Sequence, residues 1–395
     1  MKKWLFTFSI LFLFNYFFLI PVSAVEESVE TELIPGAISG VLMEASTGKI
    51  VFQKEALKEV PVASMTKMVA QILILDAIRK EKIAWDDVVT VSQNAADMGG
   101  SQIYLSVGEK ITIRDLFKGI SMASANDATV QMAEVLAGSE DAFVKMMNAK
   151  VKELGLEHTV FKNCTGLDEE GHYSSAYDMA MIARELIIHY PEILDFSSVY
   201  EDYLRQDTEN KFWLVNTNKL VRFYEGADGL KTGHTDAAKY CLAATAKKNN
   251  IRFIAIVLGE ENSNVRNQEV MSLLDYGFNH YQMNLIKSKD QVLKTIPLEK
   301  ATKSKLSLVP VTDIGVLTEK SDSKKDYDYS IQVKNISLPV KKGDVVGKVV
   351  IKEDGKEVTS VPITVLESAS KLSFLELFGQ EIKQLVSGNF MFSFH

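Results

Sequence analysis

Hydrophobic residues recur along this chain with two periods, one near 2 and one near 3.6, and the order in which the periods change outlines its architecture. Ala37 to Gln53 alternates apolar and small residues around Glu44-Ala45-Ser46-Thr47-Gly48, which predicts a β-hairpin. A helix is expected from Ser64 to about Lys80, with Met68, Ile72, Leu75 and Ile78 as its buried stripe. Asp97 to Lys110 is a glycine-containing excursion, after which Thr112 with Asp115 caps a helix whose apolar face is Ile113, Leu116, Phe117 and Ile120. That helix runs out in Ser121 to Asp127, so Ser124 and Asn126 fall at a helix junction, where polar side chains can point into a cleft. Asp127 to Gly155 continues helical, and Ser174 to Asp178 introduces another helix reaching Tyr190. At Gly226 the period shortens. Ala227 to Thr235, Tyr240 to Lys247 and Ile251 to Leu258 predict three consecutive strands, and Val265 to Tyr281 an amphipathic helix packed on them. A hairpin, a helical middle and a closing meander make an α+β domain whose two ends share one antiparallel sheet.

Past Leu285 the pattern turns to short alternating segments rich in Lys, Thr and Val, with a hairpin about Asp354-Gly355 and no helix signal until Ser368. This predicts a separate small all-β domain. From Lys371 to His395 the period is helical again, with Phe374, Leu375, Phe378, Ile382, Leu385 and Val386 on one face and Glu376, Gln380, Lys383 and Gln384 mainly opposite. Such a terminal helix either packs on the protein or lies in a membrane interface, and it is too polar to span. At the other end Lys2 and Lys3 precede an apolar run from Trp4 to Ile20, and Val22-Ser23-Ala24 fits the small-residue rule for signal-peptide cleavage. A retained anchor helix is the alternative. The expected division is 1–24 signal peptide, 25–285 catalytic domain, 286–367 β-rich domain and 368–395 amphipathic anchoring helix.

Composition changes this picture little: 395 residues with 46% hydrophobic and 24% charged suit two or three globular domains. Losing Lys2 and Lys3 with the signal takes the formal net charge from −8 to −10, which argues against nucleic acid as a partner. Cys164 and Cys241 are too few to form a disulfide scaffold for an exported chain of this length; pairing with each other is open to them, and two separate buried thiols is the favoured reading. The six histidines show no metal-ligand spacing. No metal and no cofactor is expected.

The candidate chemistry starts at Ser64 and Lys67, one helical turn apart and therefore on one face. A serine hydroxyl becomes a nucleophile when a neighbouring base takes its proton, and a lysine can be that base when its surroundings favour the neutral amine. Two further motifs follow in order, Ser124-x-Asn126 and Lys231-Thr232-Gly233, and the three together are the signature of penicillin-binding proteins and class A β-lactamases.

With ASMTKMVA, MASANDA, GLDEEGHYSSAYDMA and DGLKTGHTDAAKYCL as supporting stretches, nearly the whole chain closely resembles the low-molecular-mass penicillin-binding proteins. These are serine D-alanyl-D-alanine carboxypeptidases, and the chain looks most like the sporulation-associated ones of Gram-positive bacteria. The resemblance implies a penicillin-binding/serine β-lactamase-like catalytic domain acting outside the cytoplasmic membrane, at the cell wall. It also implies a peptidoglycan stem peptide ending in D-Ala-D-Ala as substrate and β-lactams as covalent inhibitors. Ser64 is then the nucleophile, Lys67 its base and Ser124 a proton relay. Asn126 holds Lys67 and the substrate amide. Lys231 and Thr232 meet the substrate carboxylate, and Gly233 lets the substrate lie flat on the strand edge. His234 contributes its backbone N–H, with that of Ser64, to an oxyanion hole. Lys231, as a nearby cation, is also expected to lower the pKa of Lys67. Some family members add an arginine just after the strand ending at Leu258. Here that region reads Gly259-Glu260-Glu261-Asn262 and the first arginine is Arg266, which leaves carboxylate recognition beyond Lys231 and Thr232 open. Two other readings compete. A class A β-lactamase needs a deacylating Glu-x-x-x-Asn between the second and third motifs, and none is found; a non-catalytic penicillin sensor or wall-binding protein would bind without turnover.

Overall fold

Five antiparallel strands carry the first domain in the computed structural model, which describes residues 33–206, 208–322 and 326–379. Strands β1 (Ser39–Glu44) and β2 (Ile50–Lys54) form the expected hairpin, and β3 (Ala227–Thr235), β4 (Lys239–Lys248) and β5 (Ile251–Glu260) the meander. Their spatial order is β2-β1-β5-β4-β3, with β1 joined to β5 so that Ser39 lies opposite Leu258 and Glu44 opposite Phe253. The two ends of the domain thus share one sheet, as the hydrophobic pattern implies. Period-2 alternation explains why β4 and β5 read as continuous apolar runs. Leu242, Ala244, Phe253, Ala255 and Val257 face one core, while Cys241, Ala243, Ile254, Ile256 and Leu258 face another, so both faces of the sheet are covered. Cys164 and Cys241 are both buried and unpaired with each other.

The helical middle packs on one of those faces. Ser64 does not open an α-helix: it sits in a short 3-10 turn, Ala63–Thr66, and helix α1 (Lys67–Arg79) follows. The expected stripe is also too narrow, because every residue from Lys67 to Leu75 is buried. Such all-round burial marks a central helix rather than a surface one. The single helical span expected from Asp127 to Gly155 is two helices, α2 (Asn126–Ala137) and α3 (Glu140–Glu153). Gly138 breaks it at φ +78°, and the Ser139 hydroxyl then accepts from the Ala142 N–H as a new N-cap. Helix α4 (Ala176–His189) is capped by Ser175, and α5 (Ser263–His280) by Asn262.

A strand, Tyr281–Lys287, begins directly after α5, crosses the expected boundary at residue 285 and pairs with Ile314–Glu319. Next to it lies a five-stranded antiparallel sheet in the order Lys294–Pro297, Lys305–Pro310, Lys356–Val365, Val345–Glu353, Asp328–Val333. Leu306, Leu308, Val349, Ile351, Ile363 and Val365 give it a core of its own, and Asp354-Gly355 forms the expected turn. At its end Ser373 and Glu376 make a reciprocal capping box that starts a helix. The expected signal peptide and residues 380–395 of the terminal helix lie outside the described residues.

Candidate active site

Ser64 is presented to a cleft by an unusual stretch of backbone. Ala63 adopts φ +47°, a left-handed conformation rare for a residue with a Cβ, and it is held there by two glycines that pack on the same turn. Gly166, itself at φ +83°, lies so close that a Cβ would overlap the Ala63 carbonyl, and a Cβ on Gly233 would come within 2.6 Å of the Val62 carbonyl oxygen. Gly166→Ala is therefore expected to displace the Ser64 turn. The left-handed φ alone costs about 1–3 kcal/mol, so a drop in melting temperature accompanied by a larger loss of activity is the predicted result, and unchanged activity would contradict it.

Lys67 Nζ is fully buried and surrounded by three oxygens: Ser64 Oγ at 2.7 Å, Asn126 Oδ1 at 2.7 Å and the Thr165 carbonyl at 2.6 Å. An ammonium would donate to all three. A neutral amine has two hydrogens and one lone pair, so it can donate to Asn126 and Thr165 while accepting from the Ser64 hydroxyl. The geometry serves either charge state. Burial favours the neutral one, lowering the Lys67 pKa to about 7 against smaller opposing pulls from Cys164 and Asp127.

Asn126 and Ser124 reach the same cleft because the chain kinks between them. A π-turn, Gly119–Ala123, ends at Ser124 with φ +62°, and Asn126 starts α2 two residues later. Asn126 is clamped on both sides: its Nδ2 donates to the Gly99 carbonyl and its backbone N–H to that of Ser101, while Asp127 accepts from the N–H groups of Ile103 and Leu105. The 97–110 excursion is thereby pinned over the start of α2. With the Asn126 amide nitrogen donating to Gly99, its oxygen is the atom left for Lys67.

The third motif lies on β3, the edge strand, whose neighbour is the Ser64 turn. Lys231 is buried, with Nζ donating to the Thr232 carbonyl at 2.9 Å, and the Thr232 hydroxyl donates to that of Thr217 at 2.7 Å. His234 is exposed and stacks on Tyr240 with ring centroids 4.1 Å apart. Ser64, Ser124, Thr232, Gly233 and His234 line one cleft of about 350 Å³, with Lys67, Asn126 and Lys231 buried around it. Burial is the larger cause of the lowered Lys67 pKa, and Lys231 is pushed well below its usual value by burial and then by the charges of Lys67 and Arg266. Repulsion between two ammonium groups is mutual, so the expected lowering of Lys67 stands, with burial ahead of charge.

Sequence reasoning missed three contributors. Arg266 does not follow β5 directly, yet one turn into α5 its side chain reaches the same cleft. Its guanidinium is held by the Asn267 carboxamide oxygen and the Cys241 carbonyl. Burial lowers its pKa to about 10 without removing its charge at neutral pH. Thr165 supplies a backbone carbonyl from a loop closed by the Val160–Tyr173 bridge, and Asn163 braces it by accepting from Thr165 Oγ1 and the N–H groups of Gly166 and Leu167. Thr217 orients Thr232. A main-chain carbonyl leaves no trace in residue type, but Arg266 was readable as the first cation of the helix that follows the sheet.

Known proteins match this arrangement over nearly its full length. The family model for D-alanyl-D-alanine carboxypeptidase matches residues 27–262, and that for the C-terminal domain of penicillin-binding protein 5 matches residues 281–371. The D-alanyl-D-alanine carboxypeptidase DacF of Bacillus subtilis is 46% identical over 346 residues, covering 87% of this chain and 89% of that protein. Penicillin-binding protein 5 from Haemophilus influenzae superimposes with a TM-score of 0.66 at 29% identity, over 85% of this chain and 98% of that one. Penicillin-binding protein D2 from Listeria monocytogenes, solved in an ampicillin-bound form, gives 0.56 at 30% identity over 62% and 97%. This chain belongs to the peptidase S11 family of D-alanyl-D-alanine carboxypeptidases.

Proposed function

We propose that this cleft removes the terminal D-alanine from peptidoglycan pentapeptide stems through an acyl-enzyme on Ser64. The observation that carries the assignment is the contact between Lys67 Nζ and Ser64 Oγ, with the other hydrogens of Lys67 engaged by Asn126 and Thr165. As Ser64 Oγ attacks the carbonyl between the two D-alanines, its proton passes to Lys67, and the C–O bond forms while the carbonyl electrons move onto oxygen. The backbone N–H groups of Ser64 and His234 receive that oxyanion, each donor worth about 2.7–4 kcal/mol in comparable sites. Collapse breaks the C–N bond, and the departing amine takes a proton from Lys67 through Ser124. Water then hydrolyses the ester by the reverse sequence, regenerating the Ser64 hydroxyl.

Lys231, Thr232 and Arg266 receive the substrate's terminal carboxylate, which supplies the counter-charge that two buried cations lack in each other's company. With Lys231 held charged by the substrate, Lys67 is the amine left to work neutral. Arg266→Ala is expected to raise KM for a D-Ala-D-Ala peptide by roughly 10–100-fold with a smaller change in kcat, in line with about 1.5–3 kcal/mol for a charged hydrogen bond. Equal loss in kcat alone would place Arg266 outside substrate binding.

Benzylpenicillin tests the chemistry against the β-lactamase alternative. The protein should form a covalent adduct at Ser64 that persists for many turnover times, because no carboxylate among the lining residues of the cleft is placed to activate a deacylating water. An adduct that hydrolyses within seconds would identify a β-lactamase.

We further propose export through residues 1–24 and attachment to the outer face of the cytoplasmic membrane by the C-terminal helix. Among the described residues no helix is long and apolar enough to cross a membrane, and the first turn of the terminal helix presents Phe374 and Leu375 about four-fifths exposed, with Phe378 stacked beside Phe374. Solvated aromatics in a row suit an interface. Deleting 371–395 is expected to move the protein from the membrane fraction to the soluble one with D-alanine release intact, and unchanged partitioning would refute the anchor.

A further inference from the structure

Two carboxyl groups lie buried face to face behind the cleft. Glu260 ends β5 opposite Tyr240, and Glu269 projects from α5 one turn after Arg266. Each residue is only 4% exposed, the two side chains are at hydrogen-bonding range, and Oε2 of each has no donor. Glu269 Oε1 accepts from the Gly36 N–H at 2.7 Å, and Gly36 packs so tightly on Glu260 that a Cβ there would overlap the carboxylate. Among the described residues, the charged groups nearby are otherwise engaged. On α5, Arg266 points to Asn267 and Cys241; on β2, Lys54 donates to the carbonyls of Ile34 and Ala37; at the start of β4, Lys239 pairs with Glu261. No titratable side chain lies between Leu33 and Ile38.

Two buried carboxylates in contact, without a cation, repel by more than such a site can tolerate, and one proton between them turns the repulsion into a charge-assisted hydrogen bond. We propose that Glu260 and Glu269 share a single proton and that this acid–carboxylate pair latches the N-terminal segment and the end of β5 to α5, positioning Arg266 in the cleft. The Glu269 carboxyl is raised above its usual range by burial, in the same direction. Glu260 and Glu269 are positioning residues that touch no substrate. The positioning half rests on the assignment of the cleft as the active site, whereas the shared proton does not.

The test compares wild type with E260Q, whose amide supplies the bridging hydrogen at every pH, and with E269Q as a second variant. Infrared spectra at pH 7 should show the C=O stretch of a protonated carboxyl that vanishes in E260Q. Because the proton is bound in the folded state and released from the unfolded chain, wild-type stability is present at mildly acidic pH and is lost as pH rises; E260Q should lose less. Between pH 7 and 9, KM for a D-Ala-D-Ala peptide should rise several-fold more in wild type than in E260Q while kcat changes alike in both. The absence of the protonated-carboxyl band, or a melting temperature raised by calcium chloride and lowered by EDTA, would overturn the shared proton. The band with identical KM profiles would overturn the positioning role alone.

Discussion

Ser64→Ala is expected to lower D-alanine release from a D-Ala-D-Ala peptide by about 10⁴-fold or more, while leaving KM and melting temperature near wild-type values. Residues that act as a nucleophile–base unit fail together, so losing either member removes nearly the whole covalent contribution, leaving only what the oxyanion donors and binding supply. The fold has no stake in the hydroxyl: Ser64 Oγ touches Lys67 and, at 3.5 Å, the Thr165 carbonyl, both of which keep other partners. A stable, substrate-binding but inactive protein is the outcome, read by steady-state kinetics and thermal melting. Retained turnover would remove Ser64 from the mechanism.

The second large effect concerns Lys67, and its sign follows from the proposed role of its neutral amine as the base. With the pKa lowered to about 7, log kcat/KM should climb with unit slope below that pH and level off above it. At pH 5 the rate constant falls about 100-fold below the plateau, one decade per pH unit. A lysine left near its usual 10.4 would instead be neutral in only about one molecule in 2,500 at pH 7, and the profile would climb until pH 10. Lys67→Arg should cost roughly 10³–10⁴-fold at every pH, because a guanidinium cannot give up its proton in this range. The pH profile of kcat/KM for wild type and the arginine variant checks both statements.

Much of this site is legible in the residues alone, and the reason is that its chemistry is local. Ser64 and Lys67 must be one turn apart to touch, and the motifs around Ser124 and Lys231 mark a kinked helix junction and a strand edge that composition and period both signal. What escaped depends on chain reversals. The Thr165 carbonyl is placed by a loop whose only sequence mark is the Asn163-to-Gly166 turn chemistry, and the packing of Gly166 on Ala63 follows from a left-handed residue just before Ser64. Arg266 reaches the cleft because α5 folds back along the sheet, a tertiary fact that spacing from Leu258 does not reveal. Helix α1 illustrates the same limit: its central burial comes from three neighbouring helices, α2, α3 and α4, which a stripe count along one helix cannot register. Charge reasoning gave the right direction for Lys67 and left out its larger cause, burial, which acts on Lys67 and Lys231 alike.

These parts meet in one claim, that Ser64, activated by Lys67, is acylated by stems ending in D-Ala-D-Ala and releases free D-alanine. The purified protein incubated with diacetyl-Lys-D-Ala-D-Ala tests it most directly, with free D-alanine followed over time and Ser64→Ala run in parallel. Catalytic release of one D-alanine per peptide by wild type, and none above background by the variant, is the predicted result. No release by the wild-type protein, or equal release by both, would contradict it.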